Sequence, residues 1–349
     1  MERTEISKLG EFGLIKHLAE KIAVKHPSTV KGIGDDAAVI DIGEKYLLIS
    51  TDMLTEGVHF DLTYAPLKHL GYKAVAANVS DICAMNGKAT HITVSIGISN
   101  RFSLEAVEEL YEGINAAAAA YNVDVVGGDT VSSLSGLTVS ITVIGEVGKD
   151  RIAYRSGAAD KELLVVSGDL GAAYMGLQLL EREKAVFEST PGVQPDLAGH
   201  DYILERQLKP EARVDAVAML EQLGIRPTSM IDISDGLASE ILHLCDQSGT
   251  GCALYEEKIP IDPTVVTAAS DFKLDPTLCA LSGGEDYELL FTVALADFDK
   301  LKGSPHFTVI GHMVEGAAAQ LIARDGTAHP LTAQGWDAFF KNRGEETEE

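Results

Sequence analysis

Acidic side chains recur in this chain beside glycines and hydroxyl residues: Gly34-Asp35-Asp36, Ser50-Thr51-Asp52, Ser80-Asp81, Gly127-Gly128-Asp129-Thr130, Asp232-Ile233-Ser234-Asp235-Gly236 and Gly283-Gly284-Glu285-Asp286. Asp, Ser and Gly are ordinary turn and N-cap residues, so any one station alone reads as structural. Six together read differently. Hard cations such as Mg²⁺ take oxygen ligands from carboxylates, hydroxyls and water and leave positions for substrate phosphates, a chemistry that needs these residue types. Asp81 adds weight because it prolongs an apolar helical face, where a carboxylate is costly unless it meets a positive partner.

Nucleotide motifs of the usual kinds do not account for the acids. Gly32-Ile33-Gly34-Asp35-Asp36-Ala37 fits G-x-G-x-x-A, with Asp52 placed as in a dinucleotide fingerprint. A strand is expected after it, however, and two adjacent carboxylates would repel a pyrophosphate unless metal intervened. G-x-x-x-x-G-K-[ST] is absent. A nucleotide bound here would depend on metal.

The elements that must position these residues alternate between helix and strand. Residues 1–25 read as helical, and 46–49 as a strand leading into Ser50-Thr51-Asp52. Leu67, Leu70, Ala74 and Ala77 repeat at helical spacing, and one more turn lands on Asp81. Residues 91–98 and 137–143 alternate as half-buried strands. Ser103 is placed to cap a helix carrying Val107, Leu110, Tyr111 and Ile114, before a short strand at 123–126. The glycine-flanked polar segment 148–157 predicts a boundary between domains 1–149 and 150–349. Beyond it, strands are expected at 163–167, 230–233, 289–293 and 308–310, helices near 201–223 and 236–247, and a solvated acidic tail at 345–349. The class is α/β.

Composition narrows the function. A length of 349 residues predicts two domains. With 28 Lys plus Arg against 53 Asp plus Glu, the formal charge of −25 repels nucleic acid and anionic membranes. It would repel phosphorylated metabolites too, unless divalent cations neutralise the acids facing them. No apolar run approaches a membrane span, and the N-terminus lacks a secretory pattern, which predicts a cytoplasmic protein. Cys83, Cys245, Cys252 and Cys279 form no C-x-x-C pair and are expected as buried free thiols.

Taken together, GIGDDAAV (32–39), ISTDMLTEGVHF (49–60), YKAVAANVSDICAM (72–85), GGDT (127–130), RSGA (155–158), DISDGL (232–237) and SGGEDYELLF (282–291) resemble the thiamine-monophosphate kinase family. The motifs fall in the family's order and span nearly the whole chain. The resemblance implies the two-domain aminoimidazole ribonucleotide synthetase-like fold, with N-terminal domains pairing into a barrel-like homodimer. It also implies Mg²⁺-assisted transfer of the ATP γ-phosphoryl group to thiamine monophosphate. By similarity, Asp36, Ser50, Thr51, Asp52, Asp81, Asp129, Asp232 and Asp235 are metal ligands, with Asp52, Asp81 and Asp129 essential to turnover. Tyr111, Gly128, Asp129, Arg155 and Ser234 fall to ATP, and His59, Glu285 and Trp336 to thiamine monophosphate.

Read without the resemblance, Tyr111 suits a core position, Asp235 the N-cap of the next helix, Trp336 a C-terminal anchor and His59 a strand end. Two departures stand out. The Gly and Pro that many relatives carry after Met85 are replaced here by the run Asn86 to Ala89, and the family's aromatic-x-His-Phe becomes Trp336-Asp337-Ala338-Phe339. The alternatives are another ATP-using enzyme of the superfamily and a non-catalytic metal- or nucleotide-binding protein.

Overall fold

The computed structural model describes residues 9–190 and 192–333. Trp336 and the acidic tail lie outside these residues. The first part of the chain forms a six-stranded sheet from β1 (Thr29–Lys31), β2 (Ala38–Asp41), β3 (Lys45–Thr55), β4 (Lys88–Ile98), β5 (Asp124–Ser132) and β6 (Thr138–Gly148), in the order β1-β2-β3-β6-β4-β5. All neighbours are antiparallel except β4 and β5. Two helices cover one face, α2 (Leu67–Ala84) and α3 (Leu104–Tyr121), after a first helix α1 (Gly10–Ala19).

The second part forms a seven-stranded sheet from β7 (Leu163–Ser167), β8 (Ser229–Asp232), β9 (Gly251–Tyr255), β10 (Leu289–Val293), β11 (Phe307–Val314), β12 (Ala319–Ile322) and β13 (Ala328–Pro330), ordered β13-β12-β9-β11-β7-β10-β8. Helices α4 (Ala172–Ser189), α5 (Asp201–Leu208), α6 (Val214–Gln222), α7 (Leu237–Ser248), α8 (Pro263–Asp271), α9 (Pro276–Ser282) and α10 (Phe298–Leu301) complete it. Strands β7 and β10 are buried along their whole length. Leu163 and Val165 of β7 join one hydrophobic cluster while Leu164 and Val166 join another, so the strand reads as a continuous apolar run rather than an alternation.

Helix α2 joins the two halves. It packs on β3, β4 and β6 of the first sheet, on β8 and β10 of the second, and on α3, α5 and α6. From 70 to 84 every residue except Asp81 is buried. A helix apolar nearly all round must lie within a core, and this one does. Its crossing with α3 is close enough to require glycine: a Cβ on Gly113 would sit 1.8 Å from the Lys68 carbonyl oxygen, and one on Gly71 would sit 2.1 Å from that of Leu110.

Several boundaries differ from the sequence reading. The strand expected to end near 49 runs on through Thr55, because antiparallel pairing with β6 continues from Lys45 to Thr55. The single helix expected over 201–223 is two helices, interrupted around Pro210, whose missing N–H and fixed φ end α5.

Candidate active site

Strand alternation on β3 places Ser50 and Asp52 on one face and Thr51 on the other. The Thr51 hydroxyl donates to the Ile141 carbonyl (3.1 Å) and accepts from Thr142 (3.1 Å), within the sheet's opposite surface. Ser50 Oγ donates to Asp81 Oδ2 at 2.6 Å, across to α2. Within the same helical turn Asn78 Oδ1 accepts the Asp52 backbone N–H (3.1 Å), and Ser80 Oγ donates to Asp232 Oδ2 (2.6 Å) at the end of β8. One turn of α2 therefore ties the first sheet to the second through polar side chains.

Asp36 completes the group from the loop before β2. Arg155 holds it bidentately, Nε to Oδ2 at 3.2 Å and a terminal nitrogen to Oδ1 at 2.7 Å. Asp35 braces that loop, accepting the backbone N–H groups of Asp36 and Arg155. The strand at β2 where a dinucleotide fold needs a helix agrees with discarding the G-x-G-x-x-A match. Carboxylate oxygens of Asp36, Asp81 and Asp232 lie within 4.8 Å of one another. Asp36 and Asp232 are buried, whereas Asp81 stays partly accessible.

The electrostatics follow from crowding. Burial, then the charge of Asp36, raises the pKa of Asp52. Burial raises that of Asp81 well above the ordinary carboxylate range, reinforced by Asp52, Asp232 and Asp36. Asp232 is pushed up to about 7, by burial first and by Asp36 next, although the Ser80 hydroxyl and Arg155 oppose the rise. Like charges this close resist joint ionisation unless a cation lies between them. The donor set is all oxygen, from carboxylates oriented by hydroxyls, which suits Mg²⁺.

The remaining acidic stations separate into different roles. In the loop after β8, the Asp235 backbone N–H donates to Glu240 Oε1 (3.0 Å), and Gly236 occupies the N-cap of α7 without a side-chain cap bond. Glu240 is a buried carboxylate that the sequence reading missed, its pKa raised well above normal by burial and by Asp235. The segment after α9 docks on this loop: the Glu285 N–H donates to the Ser234 carbonyl (2.7 Å) and the Tyr287 N–H to that of Ile233 (2.9 Å).

That segment's acids divide among three structural neighbours. Asp286 accepts the Gly171 N–H (2.8 Å) at the start of α4. Glu288 binds Arg206, Arg213 and the Ser167 hydroxyl. Glu285 instead reaches Lys73 Nζ at 2.7 Å and Gln207 Nε2 at 3.0 Å. Lys73 and Gln207 line a small cleft with His59, Phe60, Tyr64 and Leu70, so the two residues that hold Glu285 share a cleft with His59. Asp286 belongs to the scaffold.

Asp129 and Gly128 stand apart from this group within one chain. They lie on β5, an edge strand exposed throughout, three strands from β3 or roughly 14 Å by normal strand spacing. Gly128 backs onto the Val94 carbonyl, which a Cβ would approach to 1.8 Å. Tyr111 packs half-buried against the hydrophobic core from α3. Of the residues missed, Asn78, Lys73 and Gln207 gave one legible signal: polar side chains inside an apolar helix, for the two on α2.

The profile described as "AIR synthase related protein, N-terminal domain" matches residues 34–147. The thiamine-monophosphate kinase of Bacillus subtilis is 33% identical over 338 residues, covering 95% of this chain and all of that protein. That of Aquifex aeolicus is 34% identical over 96% of this chain and 99% of its own. The chain belongs to the thiamine-monophosphate kinase family. A solved structure described as AaThiL complexed with AMPPCP and TMP superposes on it with a TM-score of 0.83 at 31% identity, covering 97% of this chain and all of that one. The family therefore accounts for both halves of the fold, including the sheet that carries Asp232 and Glu285. Among the described residues no helix is long and apolar enough to cross a membrane.

Proposed function

We propose that this chain transfers the γ-phosphoryl group of ATP to the phosphate of thiamine monophosphate, giving thiamine diphosphate and ADP. The carrying observation is the convergence of Asp36, Asp81 and Asp232, with Asp52 beside them, in a chain of this family. The acceptor is already an anion near pH 7, since a phosphate monoester's second pKa is about 6, so no general base is required. The chemistry reduces to holding two polyanions in line.

Asp36, Asp52, Asp81 and Asp232, together with Asp129, would hold Mg²⁺ ions, with Asp235 at an outer ion. Bound there, Mg²⁺ supplies charge neutralisation for the phosphates. Ser50 and Ser80 fix the carboxylates of Asp81 and Asp232, and Asn78 fixes the backbone at Asp52. Thr51 contributes through its place in β3, its hydroxyl being engaged on the far face. Arg155 orients Asp36 and stands as the cationic group nearest the cluster. Arg155, Ser234, Tyr111, Gly128 and Asp129 are assigned to the nucleotide, and His59, Glu285 and Trp336 to thiamine monophosphate.

The division into domains 1–149 and 150–349 is supported by the two sheets, which share no strand and meet after Gly148. A homodimer is supported by β5, whose exposed edge carries Val125, Val126 and Val131. A long unpaired edge with apolar side chains invites another strand. Asp129 would then lie where two chains meet. We place the enzyme in the cytoplasm.

The test is incubation of the purified chain with Mg²⁺, ATP and thiamine monophosphate, following thiamine diphosphate by chromatography, with EDTA and thiamine-only controls. Product formed only with metal and only from the monophosphate is expected. Folded protein that binds ATP without forming product would discard the reading in favour of a sister activity or a binding protein.

A further inference from the structure

Three locally unfavourable features converge on one carboxylate. Lys73 is a lysine buried inside the helix that joins the two sheets, with 4% of its surface exposed, where an ammonium is costly unless paired. Gln207 is equally buried on α5, and its Oε1 has no hydrogen-bond partner. Glu285 sits at φ +57°, a left-handed conformation uncommon for a residue other than Gly, Asn or Asp. Each is destabilising alone.

What they achieve jointly is the placement of Glu285. Lys73 Nζ binds Oε1 at 2.7 Å and Gln207 Nε2 binds Oε2 at 3.0 Å, while the Glu285 backbone N–H is fixed on Ser234. Lys73 Nζ also donates to the Gln207 carbonyl (3.3 Å), which couples the two clamps. A carboxylate only accepts, so the Gln207 amide must turn its NH₂ toward Glu285, leaving its own oxygen orphaned. The Glu285 side chain nonetheless keeps 28% of its surface accessible, and its two partners line the cleft that His59 and Tyr64 wall. Local strain held in place by surrounding structure concentrates at ligand sites.

We propose that Lys73 and Gln207 are positioning residues that lock the Glu285 carboxylate beside the cleft they line, and that the locked carboxylate selects the cationic, nitrogen-rich ring system of the acceptor. This rests on the function proposed above. Lys73 shares a face of α2 with Ser80, seven residues on, which orients Asp232. The ring-binding and phosphate-binding ends are therefore set by one rigid element.

The experiment is steady-state kinetics of the full chain with Mg²⁺, ATP and thiamine monophosphate for Lys73→Met, Gln207→Leu, Glu285→Gln, Lys73→Arg and the Lys73→Met/Glu285→Gln double variant. Lys73→Met and Gln207→Leu should each raise KM for thiamine monophosphate at least about tenfold, with KM for ATP and kcat within about threefold. Lys73→Arg should recover most of the loss. The double variant should be no worse than Glu285→Gln alone, because a clamp with nothing to hold contributes nothing. Fold-changes that multiply in the double variant, or that fall on kcat and KM for ATP instead, would overturn the clamp while leaving the kinase reading intact. Gln207→Leu carries the same test if Lys73→Met fails to fold. A wild-type chain that neither binds nor phosphorylates thiamine monophosphate would overturn both.

Discussion

The crowded carboxylates predict an unusual dependence of metal-free stability on pH. Asp232 titrates near 3.8 in an unfolded chain and at about 7 in the folded one, where it is fully buried. Between those values the native state holds a proton that the unfolded state has lost, so stability falls as pH rises through the window and levels off above it. At roughly 1.4 kcal/mol per tenfold change in acidity, the loss is about 4 kcal/mol from this one group. For a domain of this size that corresponds to a melting temperature lower by on the order of 10 °C. The assay is thermal unfolding in EDTA at steps from pH 4 to pH 8, for the wild type and Asp232→Asn. The amide can still accept from Ser80 but has no charge to develop, so its curve should be flatter by the Asp232 share of the loss, while Asp52, Asp81 and Glu240 keep their own slopes. Mg²⁺ should raise the wild-type melting temperature at pH 8 far more than that of the variant. Identical pH profiles in EDTA would refute the account, since the crowding would then have no energetic consequence.

Other outcomes follow from the same structure. Asp52→Asn and Asp129→Asn should each remove most turnover while far-UV circular dichroism stays native; retained activity in both would remove the ligand assignment. Gly113→Ala should lower the melting temperature sharply, with a stability loss above the roughly 1–3 kcal/mol typical of overpacking, because the new Cβ would sit 1.8 Å from a backbone oxygen of the packed α2. Ser50→Ala should weaken apparent Mg²⁺ affinity in the kinase assay about tenfold, on the order of one charge-assisted hydrogen bond, and recover at high Mg²⁺; loss that persists at saturation would mean Ser50 acts otherwise.

The sequence disclosed those parts of the site whose cause is local. Leu67, Leu70, Ala74 and Ala77 announce α2 and deliver Asp81, and the apolar runs at β7 and β10 announce buried strands. The acidic stations at 36, 52, 81 and 232 do converge. Thr51 could not be separated from its neighbours, because the strand was expected to stop short, and only its continuation to Thr55 turns that hydroxyl away. Asp286 looked like Glu285 in sequence, yet one caps a helix and the other faces the cleft. The pairing of Lys73 with Glu285 joins opposite halves of the chain, so no local pattern could reveal it. Asp129 is legible as a motif residue, but its position on an edge strand is decided by sheet order.

Helix α2 carries Lys73 near one end of the site and Ser80 near the other, about 10 Å apart along its axis. Their separation is a count of peptide units, so on the proposed placement α2 would act as a ruler for the acceptor molecule. Lengthening it by a single residue between them would shift the two marks by 1.5 Å and rotate one about 100° away from its partner sheet. With the acceptor placed as proposed, the same gauge would disfavour acceptors whose ring-to-phosphate distance differs by much more than a bond length, a form of selectivity that needs no contact beyond those at the two ends.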